Sequence, residues 1–244
     1  MEAIHKMNLN ELKDLGIIAA KRAGDLLNKN KEKEKKVFQE LGKDIKLQLD
    51  RDTENLIREE LKPSGIQILG EEYGGDISDE IKWVIDPIDG TANYFRGLDQ
   101  CCISIALMDG NECLIGIIYN FNNNDLYSAS EGNGAYLNDL QIYVSKISKR
   151  NQAIIATGFP VSETVRSSLE FIELDEWKKV RMFGSAALSS AYVASGKCDY
   201  YSEKGVYLWD FAAGICLVKE AGGSANYQHL GDHKYIVKFS NNLL

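Results

Sequence analysis

Apolar residues recur every three or four positions at Leu9, Leu12, Leu15, Ala19, Ala23 and Leu26, which predicts an amphipathic helix with one buried stripe. Asn8 stands ahead of it with Glu11 three residues on, the pattern of a capping box. A second helix is predicted over residues 50–61, stopped by Pro63-Ser64-Gly65. The runs Ile66-Gln67-Ile68-Leu69 and Trp83-Val84-Ile85 are too short for helices and read as buried strands. From Cys102 onward the pattern becomes strands over residues 102–108, 112–119, 126–130 and 135–137. Asp109-Gly110, Asn122-Asn123-Asn124-Asp125 and Glu131-Gly132-Asn133-Gly134 join them, which predicts an antiparallel meander. After Gln152 strand and helix alternate. Strands are expected over 153–157, 179–183, 200–201 and 235–239, and helices over 162–174, 185–195 and 208–221, the last ended by Gly222-Gly223. The order implies a layered α/β fold. No repeat or low-complexity linker interrupts it, so residues 1–244 read as one domain. A lobe boundary near residue 145 would separate an N-terminal α+β lobe (1–145) from a C-terminal α/β lobe (146–244).

Composition narrows the function. The 244 residues suffice for a large core. Lys and Arg number 28 against 36 Asp and Glu, a net charge of −8. That balance argues against non-specific nucleic-acid binding. It also means that an anionic substrate would need cations at the site. No apolar run approaches the roughly 18 residues of a membrane span. The start Met1-Glu2-Ala3-Ile4-His5 lacks the features of a signal peptide. Five cysteines without C-x-x-C spacing suggest reduced thiols and a cytoplasmic location. Cys101 and Cys102, beside an apolar strand pattern, read as core residues.

The candidate chemistry starts where Trp83-Val84-Ile85 enters Asp86-Pro87-Ile88-Asp89-Gly90-Thr91. Pro87 removes a backbone donor, so strand pairing is expected to stop there. Two carboxylates three apart then sit on a turn, and Gly90 and Thr91 open a short helix through Phe95. Paired carboxylates attract hard divalent cations, and a helix start attracts phosphate. Taken alone, such a turn is also an ordinary surface turn. Two further segments favour chemistry. Gly70-Glu71-Glu72 ends another apolar strand in carboxylates, and Trp209-Asp210 leads into Phe211-Ala212-Ala213-Gly214. Asp50, at the start of the second helix, reads as its cap. The charge run over residues 28–36 reads as a solvated linker.

Trp83-Val84-Ile85-Asp86-Pro87-Ile88-Asp89-Gly90-Thr91-Ala92-Asn93-Tyr94-Phe95 resembles the first signature of the inositol monophosphatase family, and Trp209-Asp210-Phe211-Ala212-Ala213-Gly214 resembles its second. Gly70-Glu71-Glu72 and Arg181-Met182-Phe183-Gly184-Ser185-Ala186-Ala187 are similar to two further segments of that family. The similarity runs in order from about residue 8 to residue 242. It implies a five-layer αβαβα sandwich of the sugar phosphatase type. It also implies a lithium-sensitive, Mg²⁺-dependent phosphatase, and a homodimer. By the same resemblance, Glu71, Asp86 and the Ile88 carbonyl hold one Mg²⁺, and Asp86, Asp89 and Asp210 a second. Glu71 faces a third, weaker site. Glu71 and Thr91 position the attacking water, with Asp50 bonded to Thr91. Glu72 supports them. The resemblance also implies that the run over residues 28–36 is a loop that covers the site, and Lys43 stands nearest that loop's lysine.

The ligand set is all oxygen, which suits Mg²⁺ and opposes zinc. Asp89, Gly90, Thr91, Gly184, Ser185, Ala186, Glu203 and Asp210 fall at positions that contact substrate in the family. Glu203 could accept hydrogen bonds from two hydroxyls of a ring, or be a surface charge. Tyr207 departs from the family pattern, standing where human-type enzymes carry histidine. The expected substrate is a small phosphorylated polyol or sugar, with inositol-1-monophosphate first. Fructose-1,6-bisphosphate, histidinol phosphate and 3′(2′),5′-bisphosphate nucleotides are the alternatives within the superfamily. A non-catalytic relative that binds a protein or RNA partner is the alternative of another class.

Overall fold

The computed structural model describes residues 7–32, 37–41, 44–75, 80–158 and 173–244, with side chains outside 37–46. Helix α1 (Leu9–Asn30) begins at the expected capping box, in which the side chains of Asn8 and Glu11 each accept from the other's backbone N–H. Its deepest seam is Leu12, Gly16, Ala19, Ala20, Ala23 and Leu27, while Leu9, Leu15 and Leu26 flank it half-buried. The charged run was expected to be a linker from residue 28. Instead α1 continues through Asn30, because Asn28 Nδ2 donates to Phe121 O (2.9 Å) and Lys31 Nζ reaches Asp99 and Asn122. Lys43 and most of the rest of that run lie outside the described residues.

A short hairpin of β1 (Val37–Leu41) and β2 (Asp44–Leu47) leads into α2 (Gln48–Leu61). Then come β3 (Gln67–Gly70), β4 (Lys82–Asp89), α3 (Thr91–Arg96), β5 (Cys102–Asp109), β6 (Glu112–Asn120), β7 (Asp125–Ser130), β8 (Ala135–Leu137) and β9 (Leu140–Ile142). Strands β3 to β9 form one sheet in chain order, parallel only between β3 and β4. A second sheet is ordered β11 (Lys179–Arg181), β10 (Ile154–Ala156), β12 (Tyr200–Tyr207), β14 (Lys234–Ser240), β13 (Ser224–Gly231). Two helices, α4 (Ala186–Ala194) and α5 (Leu208–Glu220), complete the described elements.

Strand periodicity explains the layers. In β4, Trp83 and Ile85 join the cluster formed with Leu12, Ala19, Ala23, Ile57 and Leu61 of α1 and α2. Val84, between them, joins the other cluster with Ala187, Ala191, Phe211 and Ile215 of α4 and α5. That cluster continues into Tyr201, Val237 and Phe239 of the second sheet. The described residues thus stack as helices, sheet, helices, sheet, a layered α/β fold. The helix expected over 162–174 lies almost wholly outside the described residues, and Leu174–Glu176 is a 3₁₀ turn.

One expectation fails for a physical reason. Pairing does not stop at Pro87. β4 runs on to Asp89, with Asp86 opposite Ser104 and Asp89 opposite Cys102. One extra residue on β4 makes a bulge that absorbs the missing N–H of Pro87. Strand β13 was not expected: it is an edge strand on which only Ala225 and Tyr227 pack against the core, while most of its other side chains face solvent. All five cysteines are buried and unpaired. Among the described residues no helix is long and apolar enough to cross a membrane.

Candidate active site

The ends of β3 and β4, the starts of α3, α4 and α5, and the middle of β12 meet around one cavity of about 300 Å³. Glu71, Asp86, Ile88, Asp89, Gly90, Thr91, Gly184, Ser185, Ala186, Glu203 and Asp210 all line it. Asp50 lies behind Thr91, outside the lining and 3% exposed. The sequence candidates therefore meet in space, although they are spread over 160 positions from Asp50 to Asp210.

Local geometry fixes each group. The bulge in β4 turns Asp86 and Asp89 to the cavity, and Asp86 Oδ1 accepts from Ile88 N (2.9 Å). Gly90 then adopts φ +90°, and a Cβ there would lie 2.8 Å from Gln100 O, so only glycine fits. Thr91 Oγ1 lies 2.9 Å from Ile88 O and 3.2 Å from Asp50 Oδ1. Asp50 is not the cap of α2. Leu47 holds that place, and Asp50, on the first turn, reaches back to accept from Leu47 N. Asp210 does the same on α5, accepting from Tyr207 N (2.8 Å). In both helices the carboxylate sits at the third position, where it complements the orphan N–H groups and the positive helix end.

Asp89 Oδ2 receives Ser185 Oγ (2.5 Å) and Ala187 N (2.7 Å). Ser185 in turn caps α4 by accepting from Leu188 N (3.1 Å). Asp89 thus ties the first sheet to the start of α4. Its Oδ1 accepts from Ala186 N at 3.4 Å.

Burial sets the electrostatics. Desolvation pushes Asp89 up to about 6 and Asp50 up to about 8; Asp50 is raised further by the charges of Glu71 and Glu72. Asp86 and Asp210 are held well above the usual carboxylate range, first by burial and then by repulsion from Glu71, Asp89 and each other's neighbours. Glu203 is pushed up to about 7 by burial, opposed by the Tyr201 hydroxyl that donates to it (2.9 Å). It is no surface charge. Four carboxylates that repel one another around one cavity are unfavourable as anions without a cation. The donors are all oxygen, fit for a hard cation. Among the described residues, the groups line the cavity without closing into a set of three that would already cage an ion.

Several contributors escaped the sequence reading. Asn93 Nδ2 donates to Gln100 O and Phe183 O, both at 2.7 Å, and so ties α3 to the segment before α4. Cys102 Sγ lies 3.8 Å from Asp89 Oδ2 and 3.7 Å from Ser185 Oγ. Tyr207 stacks on Trp209, with centroids 5.0 Å apart and planes 9° from parallel. That pair also borders a second cavity of about 510 Å³, lined by Met108, Tyr227 and Tyr235 among others and lacking the carboxylates. Asn93 and Trp209 lie inside the two signatures, and Cys102 and Tyr207 had been noted for other reasons, but the contacts themselves carried no local signal.

Comparison with known proteins places the chain in a family. The model of the inositol monophosphatase family matches residues 8–233. The chain is 40% identical over 213 residues to a protein of Xylella fastidiosa named Nus factor SuhB, covering 84% of this chain and 78% of that protein. The crystal structure of extragenic suppressor protein suhB from Bartonella henselae superposes with a TM-score of 0.85 at 32% identity, covering 94% of each chain. The inositol monophosphatase structure from Anabaena (Nostoc) gives 0.84 at 28% identity, covering 97% of this chain and 93% of that one. With the motifs, the layered fold and this match in hand, the chain belongs to the inositol monophosphatase family.

Proposed function

We propose that the protein hydrolyses the phosphate monoester of a small polyol, inositol-1-monophosphate first, with Mg²⁺ as cofactor. The observation that carries this is the meeting of Glu71, Asp86, Asp89 and Asp210 around one cavity that also holds Thr91 and Glu203. Asp86, shared between the two groups of ligands, with Glu71 and the Ile88 carbonyl on one side and Asp89 and Asp210 on the other, would hold two ions. Mg²⁺ bound there supplies a Lewis acid that makes water more acidic and neutralises charge building on the phosphate.

The chain's own groups do the rest. Thr91, oriented by Ile88 O and Asp50, and Glu71 aim a water at phosphorus. Thr91 has one hydroxyl proton; donated to Ile88 O, it leaves the Thr91 oxygen free to accept from water or from a protonated Asp50. The backbone at Gly90 and Thr91 receives phosphate oxygens. Glu203, oriented by Tyr201, accepts from hydroxyls of the leaving alcohol. Attack by water needs no covalent enzyme intermediate. The site, within the limits of its fold-mates, selects small alcohols by hydroxyl geometry.

The test is a phosphate-release screen over inositol phosphates, fructose-1,6-bisphosphate, histidinol phosphate and adenosine 3′,5′-bisphosphate. Fastest turnover of an inositol monophosphate supports the reading, and a strong preference for the nucleotide or histidinol phosphate would replace it. The relatives named Nus factor SuhB favour a second reading, a factor role independent of catalysis. The intact carboxylate set supports the phosphatase reading. Loss of all release over the whole panel would favour the second.

A further inference from the structure

Helix α2 carries a buried acid that the proposed reaction leaves without a task. Glu54 is fully buried. Its carboxylate crosses to another segment, where Oε2 accepts from Glu72 N (2.7 Å) and Oε1 from Tyr73 N (3.3 Å). These amides belong to the turn that carries Glu71. One turn of helix on, Arg58 places Nε 2.8 Å and Nη2 2.7 Å from the same Oε1. Arg58 Nη2 also donates to Gly74 O (2.7 Å). The pair therefore grips the turn at both ends, by its N–H groups and by its carbonyl. Gly70, which opens the turn, leaves room for this grip. A Cβ there would lie 2.1 Å from Glu54 Oε1.

Burying an ion pair to stabilise a helix alone gains little over an apolar pair. What the pair gains here is direction. Positions 50, 54 and 58 lie four apart, on one face of α2. Asp50 holds Thr91 and Glu54 holds the backbone beside Glu71, so one rigid helix spaces the two groups. Backbone supports of this kind orient ligands at metal sites.

We infer that Glu54 is a positioning residue, which sets the direction in which Glu71 offers its carboxylate to a divalent cation. This rests on the reading of the cavity as a metal site. The test reads metal affinity directly, by Mn²⁺ binding to chelator-treated protein followed by electron paramagnetic resonance. Wild type is compared with Asp86→Asn, Glu54→Gln and Gly70→Ala. Glu54→Gln keeps volume and an acceptor but removes the negative charge that faces Arg58. Gly70→Ala pushes on the same carboxylate without touching any charge.

The expected result is that Asp86→Asn loses the site, while Glu54→Gln and Gly70→Ala weaken Mn²⁺ about 10- to 100-fold and still show cooperative melting. The Mg²⁺ needed for half-maximal rate rises in step, with KM for substrate unchanged at saturating Mg²⁺. Lower melting temperatures with wild-type Mn²⁺ affinity in either folded variant would make Glu54 merely structural and overturn the inference. Indistinguishable Mn²⁺ binding in wild type and Asp86→Asn would overturn the metal site itself, and this inference with it.

Discussion

Replacing Asp89 by asparagine should separate stability from activity. The structure places Asp89 8% exposed, with Ser185 Oγ and Ala187 N as donors. Asparagine keeps the shape and one accepting oxygen. What it removes is the buried charge. Burial raises this carboxyl from an ordinary 3.8 to about 6 in the folded chain. A group whose folded value lies above its unfolded value stabilises at low pH, and the benefit is lost as pH rises through the folded value. Above pH 6, then, ionised Asp89 costs the metal-free fold about 3 kcal/mol, at roughly 1.4 kcal/mol for each of about two pH units. The variant escapes that cost. Its metal-free melting temperature at pH 8 should exceed wild type by up to roughly 6–12 °C, at about 2–4 °C per kcal/mol for a chain of this size. At pH 4 the two should melt together. Added Mg²⁺ should raise the wild-type melting temperature much more than the variant's, and phosphate release by the variant should nearly vanish. The assay is a pair of circular dichroism melts at each pH, with and without Mg²⁺, beside a steady-state rate. A variant that melts several degrees lower at pH 8 without metal, or that turns over at the wild-type rate, would refute the reasoning.

Further outcomes follow from the same geometry. Thr91→Ala should lower kcat more than it raises KM, by about 2–4 kcal/mol of transition-state stabilisation, and steady-state kinetics that move KM alone would make Thr91 a ground-state contact. Glu203→Gln should cut kcat/KM for inositol monophosphate while sparing a generic aryl phosphate; an unchanged ratio of the two would mean that Glu203 does not read the polyol. In chelator-treated wild type, Asp89 at about 6, Glu203 at about 7 and Asp50 at about 8 all lie above their unfolded values, so urea stability should fall as pH rises from 5 to 8. A stability that climbs over that range would contradict the burial argument.

The residues around the cavity were legible because each sits in a short local pattern. An apolar strand ending in acids, or an acid at the third position of a helix, can be read without knowing the fold. Contacts between distant segments could not be read in that way. Glu54 looks like one more acid on a charged helix, and only its 18-residue reach to Glu72 N reveals its use. Asn93 lay inside a recognised motif, yet its bond to Phe183 O spans 90 positions. Asp50 was read as a cap from its place near a helix start, but α2 begins two residues earlier, at Gln48, so Asp50 accepts backward from Leu47 N from inside the first turn and not forward as a cap would. Pro87 was taken to end pairing by the rule for central strands. The bulge lets β4 continue to Asp89 and aims the metal-ligand candidates. The edge strand β13 offered only Ala225 and Tyr227 on the core, too short an alternation to read. Apolar periodicity did fix α1, where one face is buried, while α5 and the meander were legible as apolar runs bounded by turn residues, because they are buried on both sides.

The central claim is metal-dependent hydrolysis in the carboxylate cavity. Its most direct test is phosphate release from inositol-1-monophosphate by chelator-treated protein, before and after Mg²⁺ is restored, beside Asp86→Asn. The account predicts no release without metal, full recovery with Mg²⁺, and none from Asp86→Asn in either condition. Full turnover by the metal-free wild type would contradict it.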